Sequence, residues 1–325
     1  MKKYEVIGIG TPVSDYVMNV ESLPKSNQGA RMLGQCWSYG GKVASAMAAI
    51  GRLGHTCAMM AVVGDDPDGH AQQRDFARNG VDTTYLKFKE GKETALCVVL
   101  ADRETGGRSF LGAPRDVARM TIEDLDEEAL KNTQYLHLES GADFARRAAE
   151  IVRAAGGQIS VDADGYNEAV EAMIPLVDIY IPSEFYYKRR YGEERDPMDC
   201  CREIAAQGPH TVIITLGEKG CVGVSPAGEF RLPCFKVPVV DTTGAGDVFH
   251  GAFLHGMLKG WPAERAAEFA SAYSAIKCTA MGGRAGLADE AMVERFLNNG
   301  NVIDEEISSI IAERLEHYKK MPYGV

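Results

Sequence analysis

The chain has 325 residues, 45% of them hydrophobic and 25% charged, with a formal net charge of −11. That is enough apolar material for one large core, and too acidic a balance for nucleic acid or an anionic membrane as a partner. Met1-Lys2-Lys3-Tyr4-Glu5-Val6-Ile7-Gly8 enters an apolar strand with no signal-peptide core, no run is long enough to span a bilayer, and the eight cysteines form no Cys-x-x-Cys pair, so a cytoplasmic protein with free thiols is expected.

Tyr4–Gly10 predicts a buried strand. Val43, Met47, Ile50 and Leu53 recur at helical spacing and predict a helix over Val43–Leu53. Cys57–Val63 reads as a strand and Gly69–Asn79 as a helix. Two regions, about 16–39 and 94–112, have strand character without an intervening helix. They predict a small antiparallel sheet outside the main body, a candidate lid whose edges invite a homodimer. Further on, Tyr135–Leu138, Ile159–Val161, Ile179–Ile181, Thr211–Thr215 and Phe235–Val240 read as strands. Phe144–Ala155, Asp199–Ala206 and Glu264–Lys277 read as helices. In the extension 300–325, Ile303, Ile307, Ile310, Ile311 and Leu315 predict an amphipathic helix over Val302–Tyr318. The β-α alternation implies an α/β fold with a mostly parallel sheet covered on both faces, which binds ligands beyond the carboxyl ends of its strands.

Asp241-Thr242-Thr243-Gly244-Ala245-Gly246-Asp247 is the most informative segment. Small residues followed at once by a carboxylate and an apolar helical run place free N–H groups and a helix dipole beside a potential base. An anion suits the amides, and the carboxylate can take a proton from a hydroxyl; phosphoryl transfer to an alcohol needs both. A tight strand-to-helix turn with a capping Asp would read the same. Asp15, after the first strand, suits two sugar hydroxyls or a solvated turn. Gly40-Gly41 lets backbone approach a ligand, and Lys42 can donate to a hydroxyl or phosphate. No pair of the seven histidines has metal spacing, and His250, three residues after Asp247, is the one near this segment.

From Tyr4 to Phe296 the chain resembles the ribokinase-like PfkB carbohydrate kinases. Five segments carry the likeness in order: Gly8–Asp15; Gly40–Ala46 leading into Arg52-Leu53-Gly54; Val63–Gly69; Thr215-Leu216-Gly217-Glu218-Lys219-Gly220; and Asp241–Asp247. The resemblance implies a three-layer α/β/α sandwich with a β-sheet lid, and ATP and Mg2+ as cofactors. Asp247 would be the general base, with the amides of Gly244, Ala245 and Gly246 as anion hole. Asp15, Gly40, Gly41, Lys42, Ser45 and Glu139 would meet the sugar. Ser183, Thr215, Gly217, Gly220, Gly246, Ser271 and Gly283 would line the nucleotide. Asp241 and Thr243 resemble residues that hold K+ in part of the family.

Departures qualify the likeness. Ser45 stands where the family usually has Asn, and a hydroxyl makes fewer hydrogen bonds. Ser183 and Tyr186 replace an Asn and a Glu that order magnesium, which leaves Glu184 as the acid there. The implied activity is ATP-dependent phosphorylation of a small sugar. A nucleoside kinase stays open because of Ser14 and Ser45, and a sugar-phosphate kinase because of Lys42, Arg108 and Arg115. A binding protein with little turnover stays open because of Ser183 and Tyr186.

Overall fold

The computed structural model describes residues 2–319. Successive residues of its central strands bury on opposite sides, as strand geometry requires. Val6, Met59, Ile181 and Ile213 enter one apolar core, and Ile7, Met60, Val161 and Ile214 the other. A sheet buried on both faces must be covered by helices on both, which gives three layers.

Among the described residues the main sheet has ten strands. From one edge the order is Gly228–Leu232, Cys221–Ser225, Thr211–Thr215, Ile179–Pro182, Gln158–Ala163, Thr133–Leu138, Tyr4–Ile9, Cys57–Gly64 and Val81–Asp82, with Leu86–Lys89 also pairing with Cys57–Gly64. Pairing is parallel except at the Cys221–Ser225 hairpin edge. Phe235–Val240, expected as a strand, joins no ladder. The hairpin before it already forms the sheet edge, and Val240 and Asp241 instead donate to the carbonyl of Cys278 at 2.8 and 3.2 Å.

A second sheet of four strands stands apart, in the order Met32–Gly40, Val13–Val20, Ala95–Asp102, Arg108–Gly112. It was expected to be antiparallel throughout, but its central pair is parallel. Both excursions leave the carboxyl ends of main-sheet strands, so their first strands run the same way. The extension carries the expected helix, over Glu305–Lys319; residues 320–325 lie outside the described part. Among the described residues, no helix is long and apolar enough to cross a membrane.

The helix Ala245–Leu258 positions the site. It buries Val248 through Gly256 without interruption, so it is apolar all round and lies inside the protein. A Cβ on Gly251 would sit 2.4 Å from the carbonyl of Ala46. Glycine therefore lets this helix lie against the helix Lys42–Arg52, and the two N-termini, with Asp247 and Lys42, come to the same end of the sheet.

Candidate active site

Gly244 caps the helix Ala245–Leu258 in the left-handed region, at φ 79°, a conformation that costs side-chain-bearing residues more. Of the three amides expected to form the anion hole, that of Ala245 is engaged, donating to the carbonyl of Thr242 at 3.1 Å. A helix's first N–H groups have no intrahelical acceptor. The amides of Gly244 and Gly246 donate to no acceptor among the described residues, so two of the three expected amides are free. The half-buried carboxyl of Asp247 likewise has no hydrogen-bond partner among the described residues. Burial and then the charge of Asp162 push its pKa up to about 7, against the pull of Lys42 and Arg108.

Lys42 opens its helix and pairs with Asp164 at 3.2 Å. Burial works against its charge, but Asp162, Asp164 and Glu139 together hold its pKa above the ordinary value. Asp162 is buried, with its carboxyl raised by desolvation, and His250 Nε2 lies 3.5 Å from it. Desolvation drives His250 down to about 3, so near neutrality its ring is uncharged.

On the other side of Asp247, Asp15 is buried on the strand Val13–Val20. Desolvation, reinforced by Asp247 and Asp241, lifts its pKa to about 7 against the pull of Arg284. Gly40 backs it: a Cβ there would meet Asp15 Oδ2 at 2.1 Å. Ser45 Oγ and Ser14 Oγ are buried without hydrogen-bond partners among the described residues. Glu139 is differently placed from the expected sugar ligand. Its two oxygens accept from the backbone of Thr11 at 2.8 Å and Val43 at 3.0 Å, so it pins the Gly40-Gly41 turn and the helix N-terminus; burial puts its pKa at about 7. Arg108 Nη1 reaches from the small sheet to Thr242 Oγ1 at 2.7 Å. Arg115 is committed elsewhere, to Asp68 at 2.7 Å and the carbonyl of Thr94 at 2.9 Å.

The expected nucleotide residues gather loosely. A cleft of about 390 Å3 is lined by Leu232, Pro233, Cys234, Ser271, Gly300 and Asn301, among others. Gly220 abuts it, since a Cβ there would touch the carbonyl of Leu232 at 1.9 Å, and Gly217 lies against Glu184. Ser183 donates its hydroxyl to the carbonyl of Asp164 and accepts from Phe185 N, capping the helix Glu184–Tyr191. Tyr186 turns inward to Glu171 at 2.5 Å, and Glu184 pairs with Lys188 at 2.9 Å. Among the described residues no group of three or more acidic, His or Cys side chains is arranged for a metal. Magnesium needs no such group, since it takes one or two carboxylates together with substrate phosphates and keeps several waters. The Gly283 amide is held by Ser38 Oγ at 2.9 Å.

A monovalent cation at Asp241 and Thr243 fits poorly. The Asp241 carboxylate accepts from Thr243 N and Gly282 N, both at 2.8 Å, and Lys277 Nζ donates to the Asp241 carbonyl at 2.9 Å. Burial works to raise the Asp241 pKa, yet the Lys277 charge and those amides hold it below the ordinary value.

With this geometry in hand, the family model for the "pfkB family carbohydrate kinase" matches residues 1–290. The chain belongs to the PfkB family of carbohydrate kinases. It is 27% identical to the ribokinase of Haemophilus influenzae, over 90% of this chain and 97% of that one. It is 28% identical to the ATP-dependent ribose-1-phosphate kinase of Halopiger xanaduensis, over 90% and 99%. A crystal structure from E. coli, named for ribokinase II and holding ATP and Mg2+, superposes with a TM-score of 0.79 at 26% identity, covering 91% and 99%. The protein has the ribokinase-like α/β fold of its relatives, and those relatives are named kinases.

Four residues of this PfkB chain's site escaped the sequence reading. Asp162 and Asp164 follow the expected strand Ile159–Val161, and carboxylates just beyond a strand of a parallel sheet were the available signal. Lys277 falls four residues after Tyr273 and seven after Ala270, both buried, so helical spacing placed it inside. Arg284 follows Gly282-Gly283 with no acid nearby in sequence; its partner Asp75 is 209 positions away, and no local signal marks it.

Proposed function

We propose that this chain transfers the γ-phosphoryl group of MgATP to a primary hydroxyl of a small sugar. The observation that supports this most is the unpartnered Asp247 carboxyl with a pKa near 7, in the first helical turn beside two open amides and within reach of the Lys42 charge. Asp247 takes the hydroxyl proton as the sugar oxygen attacks the γ-phosphorus, and the bond to the bridging oxygen breaks, releasing ADP. The Gly244 and Gly246 amides, with Lys42, face the negative oxygens of the transferring group. Asp15 orients the acceptor, and orientation supplies much of the rate. Magnesium enters with ATP, so its charge arrives as part of the substrate.

ADP release across a panel of sugars, sugar phosphates and nucleosides tests this. At least one acceptor should work, and Asp247→Asn should abolish most of its turnover. An Asn variant as fast as the parent, with the fold intact, sinks the reading. No ADP above background, together with tight binding of ATP or sugar, favours a binding protein. A phosphorylated sugar is the second reading, favoured by Arg108 at the Gly-rich turn beside Lys42 and by the likeness to a ribose-1-phosphate kinase.

The edges of the small sheet expose Met32, Leu33, Phe110 and Leu111, and that apolar exposure supports pairing of two copies. Light scattering should give a dimer for the parent and a monomer for Phe110→Asp.

A further inference from the structure

Lys277 is a fully buried lysine on the helix Ala263–Cys278, most of whose other buried residues are alanine or aromatic. A buried ammonium is costly unless an anion and hydrogen bonds meet it. Here its Nζ donates to the Asp241 carbonyl at 2.9 Å, and its charge acts on the Asp241 carboxylate. The helix terminus adds negative potential at this point. The helix ends here, and the carbonyl of Cys278 already accepts from Val240 and Asp241. The chain then folds back over Lys277: a Cβ on Gly286 would lie 2.7 Å from the Lys277 carbonyl. The ammonium is thus sealed beneath the turn that carries Gly244, Gly246 and Asp247.

We infer that Lys277 supplies from within the chain the positive charge that a bound monovalent cation would otherwise bring to Asp241, so that the Gly-rich turn holds its shape without potassium. An ammonium is a compact point charge with several donors, and here it meets the Asp241 carbonyl directly while its charge acts on the carboxylate. The buried Thr243 Oγ1 lies against the Asp241 carboxylate, so it is available to a cation there if the ammonium is removed. The consequence for the turn's stability stands on this geometry alone. The consequence for turnover, namely no potassium requirement, rests on the kinase reading above.

The test melts the full-length parent and Lys277→Met, which keeps the length of the side chain and removes its charge. Each is melted in KCl and in tetramethylammonium chloride at matched ionic strength. The parent should melt at one temperature in both salts. The variant should melt lower than the parent, and KCl should restore roughly 2 °C relative to tetramethylammonium as the ion fills the vacated place. A parent that melts higher in KCl overturns the inference, and so does a variant indifferent to the salt. Should the variant not fold, parent crystals soaked in thallium(I) decide: an anomalous peak at Asp241 overturns it, and its absence there supports it. Parent turnover in the two salts should have a ratio near one, and strong activation by KCl counts against the inference. If no acceptor releases ADP in either salt, the kinase reading fails while the melting comparison still decides the role of Lys277.

Discussion

The proposed acceptor side and the proposed nucleotide side of the site differ in how deeply the hydrogen-bonded groups that frame them are buried. Around the acceptor, Asp241 is tied by two amides, Glu139 by two more, and the fully buried Arg284 joins Asp75 at 2.6 Å and the carbonyl of Gly40 at 2.9 Å. Asp75 also accepts from Tyr318 at 2.8 Å, so the C-terminal helix braces the same turn. Around the nucleotide, by contrast, the walls are partly exposed side chains and backbone, and the acid Glu184 is spent on Lys188. Atoms held before binding cost little entropy at the moment of reaction, which suits a group that must aim one hydroxyl. A nucleotide that brings its own metal needs less from the walls.

The largest effect expected from this contrast lies where the two sides meet. Asp247→Asn keeps the shape of the side chain and removes the base. It should lower turnover by about a hundred- to ten-thousand-fold, with the melting temperature retained or raised. A steady-state ADP assay beside a thermal melt checks both halves of that statement.

The bracing of the acceptor side should show next, as stability. Arg284→Met removes one partner of the fully buried Arg284–Asp75 pair, at a cost of about 3–5 kcal/mol. Urea unfolding followed by fluorescence measures it. A loss within experimental scatter would mean the acceptor side is not held by this pair, and the contrast drawn above would fail.

How much of this was legible beforehand follows the same division. The Gly-rich turn and Asp247 could be read because their chemistry is local: amide, dipole and carboxylate lie within seven consecutive residues. The small sheet was visible as two strand-like stretches without helices, but not the parallel pairing at its centre, which depends on where the excursions leave the main sheet. The Arg284–Asp75 pair and the role of Lys277 depend on contacts between segments far apart in the chain. Ser183 was assigned to the nucleotide by position, and the cap it also forms could be read from a Ser standing before a helix.

Titration sharpens the comparison further. Desolvation raises the folded-state pKa of Asp247 to about 7, whereas an unfolded Asp titrates near 3.9. Between those values the native state binds more protons than the unfolded one, so this group subtracts stability as pH rises from about 4 to about 7. Asp247→Asn removes that titration while the buried histidines, which act in the opposite direction, stay the same. The variant's melting temperature should therefore gain on the parent's across this window, and parent turnover should rise as the base deprotonates near pH 7. A melting difference that is flat with pH would mean the Asp247 carboxyl is not desolvated.

The smallest effect should come from the nucleotide side, at Glu184. Its carboxylate forms a helical i,i+4 pair with Lys188 and leans on Gly217, with both charged side chains substantially exposed. Exposed pairs of this spacing contribute about 0.3–0.5 kcal/mol, so Glu184→Gln should shift the melting temperature by only about 1 °C. If the open side of the cleft leaves its charge to the metal that ATP carries, the KM for MgATP should move less than about threefold, a change of under 1 kcal/mol, with kcat unchanged. A rise of tenfold or more, steeper at low magnesium than at high, would show Glu184 releasing Lys188 to order the ion once ATP is bound. The nucleotide side would then be prepared for its ligand as fully as the acceptor side, only with its carboxylate parked on a lysine until needed.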